Sequence, residues 1–170
     1  MRYPSCAAAL ALAALLGGAA AAVSAGQLPV TAVEFTPEVQ DKLRQYGAPE
    51  AAVLQAAILE SVSRAAARTT LADGLTVTIT VRDVAPTRPT RQQSADDPAL
   101  DVMQTRYLGG AALVGEVRDA RRQLVATVRH RYFSPAIRDA ALSPDPWGDA
   151  RLAIEQFTAR LIKACRKLPH

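Results

Sequence analysis

The chain is poor in the residue types on which several protein classes depend. It has two cysteines and two histidines in 170 residues, and aromatic residues make up 5%. Two cysteines cannot staple a disulfide scaffold, and a structural zinc site needs several converging Cys and His ligands. His130 lies in mid-strand and His170 is the last residue, so they offer no metal cluster and no cofactor is expected. Nucleophile chemistry is equally bare. There is no Gly-x-Ser-x-Gly, and Ser134, four residues beyond His130, is given no nucleophilic role. Glycines recur in Gly110–Glu116, but no Gly-Lys-Ser or Gly-Lys-Thr follows, which excludes a phosphate loop. Asp96, Asp97 and Asp101 lack the alternating ligands and closing glutamate of a calcium loop and read as a solvated acidic patch.

What is present first is a leader. Ala7 to Val23 is an unbroken apolar and glycine stretch, preceded by Arg2 and followed by Val23-Ser24-Ala25 before Gly26. A charged start, an apolar middle and small residues at the cut are the plan of a secretory signal. Residues 1–25 are therefore expected to be a signal peptide cleaved after Ala25, leaving no stable transmembrane span, and the protein is expected in the periplasm or secreted. Cys6 leaves with the signal, so Cys165 is the remaining cysteine. Its place on an apolar stripe predicts a buried thiol rather than an intermolecular disulfide. The body, 26–170, must stand on its core, and at about 150 residues a domain buries on the order of 70% of its unfolded surface.

Hydrophobic period assigns the elements. Val30–Phe35 is short and β-branched, a strand. Thr36-Pro37-Glu38 opens a helix that ends at Gly47, and Pro49-Glu50 opens a second with Leu54, Ile58, Val62 and Ala65 along one stripe. Leu75, Val77, Ile79 and Val81 alternate with Thr76, Thr78, Thr80 and Arg82, which predicts a strand with one buried and one polar face. The proline-broken stretch 85–101 predicts a flexible loop with no regular element. Thr105–Phe133 reads as a hairpin with its tip at Asp119–Arg122, and Gly109-Gly110 as a bend or close backbone approach. A last helix spans roughly 147–167, with Ile154, Phe157, Leu161 and Cys165 on one face. The fold class is α/β in the α+β sense: a two-layer sandwich of about four mostly antiparallel strands with helices on one face.

Charge is uneven. Residues 26–100 carry seven basic and nine acidic side chains, whereas 101–170 carry twelve and seven. Arg129 and Arg131 share the outward face of the second hairpin arm, and Arg118, Arg121 and Arg122 flank the tip. These five are the candidate partner-binding residues, suited to phosphate or carboxylate groups. No aromatic residues interleave them for base stacking, and an exported protein seldom meets nucleic acid, so nucleic acid is not the expected partner.

The run Gly109-Gly110-Ala111-Ala112-Leu113-Val114-Gly115-Glu116-Val117-Arg118-Asp119-Ala120, then Leu124-Val125-Ala126, then Trp147-Gly148-Asp149-Ala150 resembles the carboxy-terminal half of a group of bacterial envelope lipoproteins of unknown function, over residues 75–168. The resemblance implies an envelope location and a small α/β domain similar to accessory modules of outer-membrane assembly systems. It brings no catalytic residues and implies a structural role for Trp147 at the start of the last helix. The group's lipid-attachment cysteine has no counterpart here, since Ala25-Gly26 stands at that point, so lipid anchoring is not implied.

The expectation is thus a non-enzymatic binding or accessory protein of the cell envelope whose partner is an anionic envelope component or an envelope protein. The alternative is a small hydrolase or transferase with a site between the 85–101 loop and the hairpin. It requires at least two of Asp97, Asp101, Glu116 and His130 to converge. A third reading, a subunit that completes a partner's sheet, requires an open edge strand, most simply the first.

Overall fold

The computed structural model describes residues 28–101, 103–140, 142 and 144–168. The expected signal peptide, with Cys6, and the terminal His170 lie outside the described residues. Four strands and four helices follow in the order β1 (Val30–Phe35), α1 (Pro37–Tyr46), α2 (Glu50–Ala66), β2 (Thr76–Ala85), α3 (Arg91–Asp96), β3 (Gly110–Arg118), β4 (Leu124–Phe133) and α4 (Gly148–Cys165). The strands form one sheet in the order β1-β2-β3-β4. β1 runs parallel to β2, a pairing that needs a crossover, and α1 and α2 supply it. The other two pairings are antiparallel. The fold is therefore the expected α+β architecture.

Period-two alternation decides which face is covered. Val77, Ile79 and Val81 of β2 and Leu113 and Val117 of β3 join Val39, Leu43, Leu54, Ile58, Val62, Phe157 and Leu161 of the helices in one core. Gly115 marks how closely α4 crosses β3, since a Cβ there would come within 2.8 Å of the Phe157 ring. All four residues of the expected α4 stripe, Ile154, Phe157, Leu161 and Cys165, are buried. No described helix is long and apolar enough to cross a membrane.

Two expectations need correction. The first hairpin arm begins at Gly110 rather than Thr105, because residues 105–109 belong to the crossing described next. The 85–101 stretch does contain a regular element, α3. Thr90 caps it, accepting from the Gln93 amide (3.3 Å) while the Gln93 side chain accepts from the Thr90 amide (3.0 Å), so a capping box offsets the breaking effect of the flanking prolines.

The preceding residues, Pro86–Thr90, are all buried. β2 leaves the sheet at Ala85 and β3 returns at Gly110, directly opposite, so the intervening segment is a strap anchored at one point. The Thr87 amide donates to the Pro146 carbonyl (2.6 Å), and the Thr87 carbonyl accepts from the Tyr107 amide (2.8 Å). Its hydroxyl donates to Asp149 Oδ2 (3.0 Å) and accepts from the Asp149 amide (3.1 Å) at the start of α4. Arg88 donates to the Met103 carbonyl (2.6 Å) and the Leu142 carbonyl (3.3 Å), and Thr90 Oγ1 to the Tyr46 carbonyl (2.5 Å). Trp147, packed edge-on against Tyr46 with centroids 5.8 Å apart, donates its indole N–H to Glu50 Oε2 (2.5 Å). Buried polar groups need partners, and here the strap, α2 and α4 supply one another.

Cys165 is buried among these helices, and burial pushes its thiol up to about 11. Only the thiolate reacts, so at pH 8 the native protein is expected to resist iodoacetamide and to react rapidly once unfolded in urea. Equal rates in both states, followed by mass spectrometry, would contradict this placement.

Candidate functional site: an arginine-lined hollow on the open sheet face

Among the described residues no helix or strand lies over the face of the sheet turned away from the helices. Register places Thr78, Thr80 and Asp83 of β2, Ala112, Val114 and Glu116 of β3, and Thr127, Arg129 and Arg131 of β4 on this side, and the alternation of β2 adds Arg82. The five sequence-predicted arginines divide into two groups. Arg118, Arg121 and Arg122 sit at the tip, whereas Arg129 and Arg131 lie mid-strand. With about 3.4 Å per residue along a strand, Arg122 and Arg129 are separated by roughly 20 Å, so the five do not form one site.

The tip arginines are partly committed. Arg118 Nη2 pairs with Glu116 Oε2 at 3.0 Å, and its Nη1 donates to the Arg122 carbonyl (3.2 Å). Asp119 Oδ1 accepts from the Arg121 and Gln123 amides, both at 2.9 Å, and closes the turn, in which Arg122 takes a left-handed φ of 63°. A hollow of about 570 Å³ lies beside the tip, lined by Thr31, Gly74, Thr76, Arg118, Asp119, Ala120 and Arg122. Glu116 and Asp119 offset much of its positive charge.

The mid-strand pair gains a third member that sequence reasoning missed. Arg82 occupies the register irregularity between Val81 and Asp83, where an extra residue re-aims a side chain. Its neighbour Asp83 pairs with Ala112 on β3, and beyond Ala112 stands Arg131. A hollow of about 260 Å³ is lined by Arg82, Ala112, Val114, Arg129 and Arg131, with Leu113 and His130 at its edge. Arg131 lies over the Phe133 ring, its guanidinium carbon 4.4 Å from the centroid, which fixes its direction. None of Arg82, Arg129 and Arg131 forms an ion pair among the described residues, whereas Asp83 next to Arg82 is taken by Lys42 at 2.7 Å. Glu38, at the start of α1, titrates below its ordinary value chiefly through a backbone hydrogen bond, with the Arg82 charge adding the smallest part. The signal for Arg82 was the polar alternation of β2. What linked it to β4 was the register across β3.

Each of the four residues of which a hydrolytic site would need at least two together has a local partner of its own. Glu116 faces outward in its pair with Arg118. His130 faces α4, where Nε2 meets Gln156 Oε1 at 3.0 Å. Asp97 accepts from the Ala99 amide, and Asp101 from those of Met103 and Gln104. Ser134 is buried and its hydroxyl has no hydrogen-bond partner among the described residues, so no base activates it. No group of three or more potential ligands able to hold a metal occurs among the described residues.

Burial lowers the pKa of His130, the Arg160 charge lowers it further, and the Gln156 hydrogen bond opposes both. The folded value lies below the unfolded value of about 6.5, so the unfolded chain binds the proton first. The stability tied to neutral His130 is complete above pH 6.5 and declines as pH falls through that value. His130→Gln is expected to flatten the dependence of unfolding free energy on pH between 5 and 7. An unchanged slope in urea titrations would show that other groups carry it.

No family model, curated protein or solved structure matches the chain.

Proposed function

We propose that this is an exported, non-enzymatic binding or accessory protein of the bacterial cell envelope that meets an anionic envelope partner through the open face of its sheet. The observation that carries this reading is the trio Arg82, Arg129 and Arg131, three guanidiniums without carboxylate partners around an apolar floor on the one sheet face left uncovered. The signal-like residues 1–25 support export, and the excess of basic residues in 101–170 places a positive field on the hairpin side.

The test is sedimentation with phosphatidylglycerol-containing vesicles and with lipopolysaccharide over a salt series. Wild-type protein is expected to bind at low salt and to be released as the Debye length shrinks from about 30 Å at 0.01 M to about 8 Å at 0.15 M. Arg129→Gln/Arg131→Gln is expected to weaken binding by about tenfold or more, since each lost charged hydrogen bond costs about 1.5–3 kcal/mol. Binding unchanged by the substitutions, or by salt, would contradict the proposal.

A further inference from the structure

We infer that the hollow between Arg82, Arg129 and Arg131 is a subsite for a phosphate monoester group. The inference deepens the reading of the open face as a binding face and rests on it. Three observations lead to this ligand.

The first is spacing. Asp83, the residue after Arg82, and Arg131 flank Ala112 from the two neighbouring strands, and Arg82 is the extra residue just before Asp83, so the Arg82 and Arg131 Cα atoms stand on the order of 10 Å apart, about two inter-strand spacings. Arg129 and Arg131 are two residues apart on one strand, about 7 Å. Three long side chains rooted at the corners of such a triangle reach a common point above its centre, and Ala112, with only a methyl group, leaves that centre open.

The second is the number of donors. A carboxylate has one charge and two oxygens, and a single guanidinium satisfies it with a bidentate pair. A phosphate monoester carries about −1.5 to −2 charges near neutral pH and presents three strong acceptor oxygens. Three unpaired guanidiniums match that group and exceed what a carboxylate uses. A phosphodiester, with one charge and two free oxygens, falls on the carboxylate side.

The third is preorganisation. Arg131 is held by the Phe133 ring, and Arg82 is rooted at the one irregular position of the β2–β3 ladder, so the place of each is set before any ligand arrives. Val114 and Ala112 form an apolar floor that suits the carbon side of the ester. The group has two sources, a lipid headgroup bearing a terminal phosphate or a free phosphate compound, and the chemistry at the site is the same for both.

The experiment titrates the full chain with inorganic phosphate and with acetate at low ionic strength, followed by calorimetry and by arginine side-chain NMR. A parallel arm uses vesicles containing phosphatidic acid or phosphatidylglycerol at matched surface charge. Saturable phosphate binding, at least about tenfold tighter than acetate, is expected, weakened at least about tenfold by R82Q and unaffected by R121Q/R122Q at the tip. Preference for phosphatidic acid over phosphatidylglycerol vesicles identifies the lipid headgroup as a source. Phosphate binding without vesicle binding keeps the subsite, assigns it to a soluble phosphate compound and removes the envelope-surface reading. Equal response to phosphate and acetate, or phosphate binding indifferent to R82Q, overturns the subsite. Salt-sensitive binding to both vesicles at equal strength would then leave the broader anionic reading standing. Far-UV circular dichroism of R82Q matching wild type separates loss of the site from loss of fold.

Discussion

Trp147→Ala is expected to remove roughly 4–7 kcal/mol of stability, combining the cavity left by a buried indole with the loss of the partner for Glu50 Oε2. Trp147 is 1% exposed, meets Tyr46 edge-to-face and donates to Glu50 from α2, so it joins the starts of two helices to the end of a third. Domains of this size have about 5–15 kcal/mol in total, so the variant should be largely unfolded at 37 °C or close to it. Trp147→Phe separates the two contributions. It keeps most of the ring volume and the Tyr46 contact and forfeits the N–H, for an expected cost of about 1–3 kcal/mol. Adding Glu50→Met, which has no strong acceptor, to Trp147→Phe should cost less than the sum of the two single changes, because both remove the same hydrogen bond. Urea unfolding of the four proteins measures the cycle. Additive costs would show that the Trp147–Glu50 bond contributes nothing.

Gly110→Ala is the second large effect. Gly110 has a φ of 154°, in the region L side chains rarely adopt, and a Cβ there would stand 2.2 Å from the Tyr132 carbonyl oxygen and 2.6 Å from Phe133 Cα. The obstruction is main chain of the neighbouring strand, so relief requires β3 and β4 to separate at the point where the strap rejoins the sheet. A cost of about 3 kcal/mol or more is expected from backbone strain and overpacking together. Gly115→Ala is the graded comparison. Its Cβ would meet the Phe157 ring at 2.8 Å, a side chain that can tilt, and a cost of about 1–2 kcal/mol is expected. Urea midpoints that place Gly115→Ala as the more damaging change would contradict the assigned role of Gly110.

The contrast between these residues shows what the amino-acid order made legible. Period-two alternation along Leu75–Arg82 and the stripe Ile154, Phe157, Leu161, Cys165 have one meaning each, because a face is either turned to the core or away from it, and both appear as expected. Gly109-Gly110 announced a close backbone approach, and the strands do close there. The strap was illegible. Thr87, Arg88 and Thr90 look like loop residues, and their burial depends on Asp149, Met103, Leu142 and Tyr46, up to 62 positions away in the chain. Polar residues enter an interior when distant partners satisfy them, and local pattern carries no record of that partner.

The candidate site divides in the same way. That Arg129 and Arg131 point together followed from strand geometry alone. That the tip arginines stand apart from them followed from where β4 begins and how far it runs. Arg82 belongs with the pair because β2 and β4 sit on either side of β3, a fact of pairing rather than of composition.

The account stands on the open sheet face as the surface that meets an anionic partner. The direct measurement is NMR mapping of the full chain with anionic and with neutral phospholipid nanodiscs. Anionic discs should perturb the signals of Arg82, Ala112, Val114, Arg129 and Arg131, neutral discs should leave them in place, and the α2 and α4 surfaces should be silent in both. Perturbations confined to the helical face, or identical with neutral and anionic discs, would contradict it.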